Sequence, residues 1–383
     1  MKLLEYKAKE LFNQYGLPTM NGIVIDAKDG AAEKIAAAGV KYPVVLKAQV
    51  QVGGRGKAGG IQFAENGAEA QAVTDRLLFT QLKGFDVNKL LVVEKANLKT
   101  EWYLSIMLDR LSKCPLIIFS AMGGMDIEET ARTNPEKIVK AEINPVLGIK
   151  DYTVRYVIVK SGIGMEHFDK LKNILVRLYK LFMEYSCMLA EINPLALDDA
   201  GEIIALDGKV DIDDSALYRL PDIMEFRESL QEDPLVIEAR KFNFLYIPVE
   251  EEGDIAVVSN GSGMLMSCID LISKKDMKVG AALDLGGGAT AERIKEAVRI
   301  ILSNPKIDTL FISIFGGITR CDEVAAGVKL AMEMQTGQKK VYMRIEGTNK
   351  AKGLEIIQTV KGVTAVEGIP EGVEALYKGR CQA

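Results

Sequence analysis

One histidine and one tryptophan serve a chain of 383 residues. The histidine is His167, with Glu166 and Asp169 beside it. No zinc cluster and no Ser-His-Asp set can be traced around it. With no glycine loop or cysteine nearby, it reads as a solvated or structural residue. Phosphoryl chemistry that needs a histidine nucleophile would have to borrow one from a partner. Cysteine is also sparse. Cys114, Cys187, Cys268, Cys321 and Cys381 form no CxxC pair, and their number is odd. That gives no zinc pattern and fits free thiols in a reducing compartment. No run of about 18 uncharged apolar residues occurs, so no membrane span is expected. The N-terminus "MKLLEYKAKELFNQYG" is a charged amphipathic helix without an apolar signal core. A basic excess is missing too. The net charge of −5 argues against general affinity for nucleic acid or anionic membrane. A cytoplasmic protein is the expectation.

What is present is an ordinary globular composition, 48% hydrophobic and 26% charged. The length exceeds what one core usually holds, so two or three domains are expected. The first half mixes short helices and strands, with strands clustered in its middle. Its clearest helix is "HFDKLKNILVRLYKLFMEY", where Phe168, Leu171, Ile174, Leu175, Leu178, Leu181 and Phe182 step by three or four. "MLAEINPLAL" and "EIIALDGKV" read as a hairpin across Asp198 to Gly201. The polar stretch from Asp222 to Asn243, broken at Asp233–Pro234, reads as the connection between halves. From there the rhythm changes to five strand-then-helix units in about 130 residues, the pattern of a parallel sheet covered on both faces. Ligands in such folds bind at the carboxyl ends of the strands. Here those ends are "SNGSG", "DLGGGAT" and "FGGITR".

Three motifs carry chemistry. "KAQVQVGGRGKAGGIQF", Lys47 to Phe63, sets Arg55 and Lys57 inside a glycine run. Flexible backbone amides with two cations suit phosphate oxygens, because glycine lets main-chain N–H groups approach closely. The Walker spacing fails, and no helix follows directly as a dinucleotide loop requires. A glycine loop between two strands, over a nucleotide, fits better; a solvated hairpin tip is the plainer alternative. "AEINPLAL" and "IIALDGKV" bring Glu191, Asn193 and Asp207 onto adjacent strands, with the oxygens that Mg²⁺ takes when shared with phosphates. A polar rim at a strand end is the alternative. "DLGGGATAERIKEAV" places glycines, Thr290 and Glu292 at a helix start, which suits an anion, or equally a tight turn capped by Thr290. Glu94 and Glu101 flank a loop that could receive base and ribose, or are surface charge.

"EYKAKELFNQYGLP", "GGRGKAGG", "EINPLAL", "ALDGK", "LDLGGGAT" and "FGGITRCD" occur in one order and spacing along the whole chain. In this the sequence resembles the β subunit of ADP- or GDP-forming succinyl-CoA synthetases (succinate–CoA ligases). The resemblance implies an α/β protein: an N-terminal ATP-grasp fold of α+β type over residues 1–238, then a flavodoxin-like parallel α/β CoA-ligase domain over 239–383. It implies nucleotide contacts, to ATP or GTP, at Lys47, Gly54, Arg55, Gly56, Glu94, Leu98 and Glu101. Mg²⁺ would be held by Asn193 and Asp207. Substrate contacts would fall on Asn260, Gly317, Ile318 and Thr319. Catalytic parts fall to Glu191, Gly287, Gly288 and Thr290, with the helix at the phosphohistidine beginning at Gly287, Gly288 and Ala289. The implied partner is an α subunit that carries the phosphorylated histidine and the CoA site. The small molecules are succinate, CoA and nucleotide, with no nucleic acid and no membrane. "SNGSGMLM" and "DDSALYR" depart from the more usual "NGAGLAM" and "DDNALFR". The alternatives are therefore a subunit of a malate–CoA or other acyl–CoA ligase, or a nucleotide-binding subunit without chemistry.

Overall fold

The computed structural model describes residues 1–381 except 53, 125, 126, 231, 336 and 338. The chain divides into two compact units, Met1–Ser229 and Leu230–Ala383.

The first unit runs α1 (Glu5–Gln14), β1 (Gly22–Ile25), α2 (Ala31–Ala37), β2 (Val44–Ala48), β3 (Ile61–Ala64), α3 (Gly67–Leu77), β4 (Gln81–Leu82), β5 (Phe85–Asp86), β6 (Leu90–Glu94), β7 (Leu98–Asp109), β8 (Cys114–Ser120), α4 (Ile127–Thr133), β9 (Ile138–Glu142), α5 (Asp151–Ser161), α6 (Phe168–Glu184), β10 (Cys187–Asp198), β11 (Ile203–Ala205), β12 (Gly208–Ile212) and α7 (Pro221–Glu228). Strands β1-β6-β2-β3 make a small antiparallel sheet, whose core holds Ile35 of α2 and Val73 of α3. Strands β11-β10-β7-β8-β9 make a larger one, with β12 also paired to β10. Helix α6 buries the expected stripe from Leu171 to Phe182. Phe168, at its start, is only half-buried and takes Arg155 on its ring, 4.9 Å from the centroid.

Two local features shape this unit's site. The register of β10 slips between Ile192 and Leu195, so Asn193 leaves the ladder and its N–H donates to Asp207 O at 3.2 Å. Residues 1–3 run beside β12, with Leu3 N donating to Val210 O at 2.9 Å, and this sets the start of α1 against β12. That approach requires glycine at 208, because a Cβ there would overlap the Phe12 ring.

The second unit runs α8 (Pro234–Lys241), β13 (Leu245–Pro248), β14 (Ile255–Ser259), α9 (Ser262–Ser273), β15 (Val279–Asp284), α10 (Ala291–Leu302), β16 (Thr309–Gly316), α11 (Cys321–Glu333), β17 (Lys340–Gly347), α12 (Lys350–Gln358), β18 (Val363–Ala365) and α13 (Ile369–Cys381). The five expected strand–helix units are there, in the order β15-β14-β16-β17-β18, all parallel. That is the flavodoxin-like order, with its reversal between β14 and β16. Alternate residues of β14 face opposite layers. Ala256 and Val258 pack with Ile294 and Val298 of α10, while Ile255 and Val257 pack with Leu265 and Cys268 of α9. Both faces are therefore buried, which explains strands apolar throughout.

The structure corrects two readings. The stretch 222–243 is not a plain connection, since it holds part of α7 and all of α8. Asp233 caps α8 by accepting from Leu235 N at 2.8 Å, and Pro234 sits in its first turn, so the pair starts a helix rather than breaking one. Ala239, Leu235 and Val236 of α8 pack into the second unit's core. The sheet also gains β13, an antiparallel edge strand on β15 that no strand-then-helix pattern reveals.

Candidate functional site

In the first unit, a cavity of about 500 Å³ opens between the start of α1, the glycine loop and the slipped segment of β10. Its wall includes Glu5, Gly54, Arg55, Glu191, Asn193 and Asp207. The glycine loop does connect two strands, since Lys47 of β2 pairs with Ile61 of β3. It is no free tip. Arg55 folds back, donating to Ala48 O at 3.0 Å and to Glu5 Oε2 at 2.6 Å. Lys47 is buried, and its ammonium donates to Glu5 Oε1 at 2.6 Å and to Leu206 O at 3.2 Å. Arg55 also lies 3.9 Å from Asp207.

These groups tune one another. Burial would raise the Glu5 acid, but Lys47 and Arg55 outweigh it and hold the carboxyl below its ordinary value. Burial would lower the Lys47 ammonium, yet Glu5 and Asp207 push it up. Asp207 goes the other way: withdrawal from water, then the Glu5 charge, push it up to about 7.

Asn193 and Asp207 offer an amide oxygen and a carboxylate from facing backbone segments. That donor set fits Mg²⁺ shared with phosphates, which needs only one or two protein ligands. Among the described residues no group of three or more His, Cys, Asp or Glu could hold a metal alone. Asn193 Oδ1 already accepts from Gly124 N at 2.9 Å, which orients it. Asp207→Asn is expected to keep the fold and raise the Mg²⁺ needed for turnover. The sign follows from the raised acid: below about pH 4 the aspartate is neutral in both states, and the fold loses stability as pH climbs towards 7. At pH 8 the neutral amide avoids that loss, so the metal-free thermal midpoint should not fall. A wild-type Mg²⁺ titration curve in this variant would take Asp207 out of the metal site.

The remaining first-unit residues spread out. Gly56 is exposed in the loop turn, accepting from Gly59 N at 3.1 Å. Glu94 ends β6 at the level of Val44, three residues back along β2 from Lys47, and accepts from Lys41 N at 3.0 Å and Asn21 Nδ2 at 3.3 Å. Strand β7 starts at Leu98, three residues before Glu101, so Leu98 lies on the strand rather than in the loop and Glu101 falls inside the strand whose start it was expected to mark. Leu98 is exposed opposite Asp198, and the Glu101 carboxylate lies against Gly124 beside Asn193.

Sequence reasoning missed Glu5 and Tyr103. Tyr103 is buried and donates to Glu191 Oε2 at 2.9 Å, fixing that carboxylate. Burial and the Glu191 charge raise the phenol. Glu5 could have been found: a glutamate on the buried side of an amphipathic helix demands a cation. His167 is far from solvated, with its ring edge-on to Trp102 at 5.2 Å and Nε2 3.6 Å from Glu166.

In the second unit, the three glycine-rich strand ends converge as expected. Asn260, after β14, clamps Phe315 by both backbone groups: Nδ2 donates to its carbonyl at 2.9 Å and Oδ1 accepts from its N–H at 3.0 Å. Thr319 is buried, and its Oγ1 accepts from Gly288 N at 3.0 Å and Ala289 N at 3.4 Å, joining "FGGIT" to "GGGAT". Ile318 stands 91% exposed at the tip. A Cβ at Gly287 or Gly317 would meet open space. One expectation is corrected here. Helix α10 begins at Ala291, not Gly287, because Thr290 caps it by accepting from Arg293 N at 3.5 Å. Glu323 takes Ala291 N at 3.0 Å, so part of the helix start is already held by the chain's own carboxylate.

Comparisons with known proteins agree with both units. An ATP-grasp domain family matches residues 2–197 and a CoA-ligase family residues 258–369. The chain is 41% identical to the succinate–CoA ligase [ADP-forming] subunit beta of Pyrobaculum islandicum, over 98% of each chain. It is 39% identical to that of Persephonella marina, over 99% of this chain and all of the relative, and 40% identical to that of Deinococcus radiodurans, over 92% of each. Among solved structures, ATP citrate lyase from Methanothrix soehngenii, in complex with citrate and coenzyme A, matches with a TM-score of 0.76 at 17% identity over 99% of each chain, a likeness of fold.

Proposed function

The chain belongs to the family of ADP-forming succinate–CoA ligase β subunits, and from that premise we propose that its first-unit cavity takes Mg·ATP and passes the γ-phosphoryl group to a histidine of its α partner. The reaction is succinate + CoA + ATP = succinyl-CoA + ADP + phosphate. What carries the reading is one juxtaposition: Arg55, Glu191, Asn193 and Asp207 share a cavity of about 500 Å³, with Lys47 joined to it through Glu5. That volume is in the range of small-molecule sites.

The division of labour follows from the side chains. Lys47 and Arg55 are cations beside the cavity, where a transferred phosphoryl group needs charge stabilisation and positioning. Asn193 and Asp207 would hold Mg²⁺, which when bound offsets phosphate charge. Glu191, fixed by Tyr103, faces the same space and would orient the incoming imidazole. That the chain's one histidine packs on Trp102 supports a phosphorylated histidine supplied by the α subunit, which in this reading also carries the CoA site. Phosphohistidine then phosphorylates succinate, and CoA displaces the phosphate. We place the exposed "GGGAT" and "FGGIT" loops, with Asn260 beneath, at the phosphohistidine and substrate. The free thiols Cys114, Cys187, Cys268 and Cys321 suit a reducing cytoplasm, and no described helix is long and apolar enough to cross a membrane.

The test is co-production with the partner subunit and incubation with γ-labelled ATP and Mg²⁺. Acid-labile label is expected on the partner, discharged by succinate with CoA and not by malate with CoA. This chain alone should trap none. His167→Ala should label the partner at nearly the wild-type rate. Label found on this chain, or lost in a well-folded His167→Ala assembly, would overturn the reading.

A further inference from the structure

Glu5 is 5% exposed, the first residue of α1, and its two carboxylate oxygens are divided between two cations. Oε1 accepts from Lys47 Nζ and Oε2 from Arg55 Nη2, both at 2.6 Å. A phosphate group would present the same thing, anionic oxygens on one central atom, to the same pair of donors. Lys47 stands on a sheet strand and Arg55 on the glycine loop, so Glu5 ties the loop's cation to the floor of the site. Placing Glu5 there takes dedicated structure: the strand-like run of residues 1–3 and the glycine at 208 both serve to bring α1 against β12.

Resting on the nucleotide reading above, we infer that Glu5 is a resident counter-anion of the phosphate subsite, which orders Lys47 and Arg55 while the site is empty and weakens their hold on bound nucleotide. With Asp207, 3.9 Å from Arg55, committed to Mg²⁺, the two cations against the one remaining carboxylate leave an excess of one positive charge for the phosphates. Without the carboxylate the excess would double, and polyphosphate would bind more tightly. The empty site would meanwhile leave Lys47 with only Leu206 O, and Arg55 with Ala48 O and the more distant Asp207, which is destabilising. Glu5 is thus a positioning residue, and it sets how readily product leaves.

Glu5→Gln keeps the shape and removes the charge. In the complex co-purified with the partner subunit, calorimetry should show Mg·ADP binding roughly tenfold tighter or more, as expected for deleting a like charge a few ångströms from the phosphates. Inorganic pyrophosphate, which has no base or ribose, should tighten alongside it. The ligand-free variant should melt lower than wild type, and saturating ADP should close most of the gap. A residue that merely supported the site's shape would weaken binding when replaced, so unchanged or weaker Mg·ADP affinity overturns the inference. Should Glu5→Gln fail to assemble, Glu5→Asp serves: its shorter carboxylate cannot span both cations, and affinity should rise less but in the same direction, with no rise overturning the inference. Wild-type complex that binds no Mg·ADP would bring down the nucleotide reading itself, an outcome distinct from a wild type that binds and a variant that binds no better.

Discussion

Replacing Lys47 with methionine is expected to weaken Mg·ADP binding by about a hundredfold, or ~2.8 kcal/mol. An ammonium has three donors, and among the described residues this one spends them on Glu5 at 2.6 Å and Leu206 O at 3.2 Å, leaving capacity for a phosphate oxygen. A charge-assisted hydrogen bond is worth roughly 1.5–3 kcal/mol, and here the group sits in a buried setting with little water to compete. Methionine fills similar space, so cavity formation should add little. Folding should survive, because Arg55 still holds one Glu5 oxygen and the carboxylate is not left bare. The variant should melt lower in the ligand-free state. Calorimetry on the assembled enzyme gives the affinity directly. A folded variant with wild-type ADP affinity would remove Lys47 from the phosphate site. The opposite ends of one 2.6 Å pair thus carry opposite signs: Lys47→Met lowers nucleotide affinity and Glu5→Gln raises it.

The chain's two folds were largely legible because each has a strong local signature. The second unit's strands are buried on both faces and its helices are amphipathic, so apolar runs and three-to-four spacing mark each one. Strand β13 escaped because it is an edge strand in which Leu245, Ile247 and Pro248 are exposed and only Tyr246 is buried, and it pairs antiparallel outside the repeating unit. Asp233–Pro234 misled because the same dipeptide that stops a helix also starts one. In the site, the glycine loop and the Asn193–Asp207 pair could be read from spacing, since both are set by a hairpin whose two strands are near in sequence. Glu5 lies 42 residues from Lys47, and Tyr103 lies 88 from Glu191. No local pattern encodes such pairings; the first depends on where α1 packs, the second on the register that pairs β7 with β10. The start of α10 was misplaced for a related reason. Glycines before a helix resemble its first turn, and only the bond from Arg293 N to Thr290 shows where the turn begins.

Gly288→Val is expected to slow phosphorylation of the partner's histidine by about a hundredfold, the usual cost of a misplacement of about an ångström in a positioned site. The residue has φ +69°, in the left-handed region that a β-branched side chain tolerates least. Space is not the obstacle, since a Cβ there would stand 3.7 Å from Ile318 Cγ2, an ordinary contact. The damage would come through the backbone. Valine would pull residue 288 towards negative φ and break its N–H bond to Thr319 Oγ1, the joint that holds the two glycine loops together. Thr319→Val tests that joint independently, because it removes the acceptor and keeps the shape; it should reproduce part of the loss. Gly288→Asn should retain more activity than Gly288→Val, since asparagine adopts the left-handed conformation readily. ADP affinity should stay at the wild-type value in all three variants, because Lys47, Arg55 and Asp207 belong to the other compact unit. The measurement is phosphohistidine formation from labelled ATP in the assembled complex, beside calorimetry with Mg·ADP. Near-normal phosphorylation in Gly288→Val would reduce these glycines to a tight turn, and equal losses in the valine and asparagine variants would mean that any side chain at 288 obstructs the approaching group.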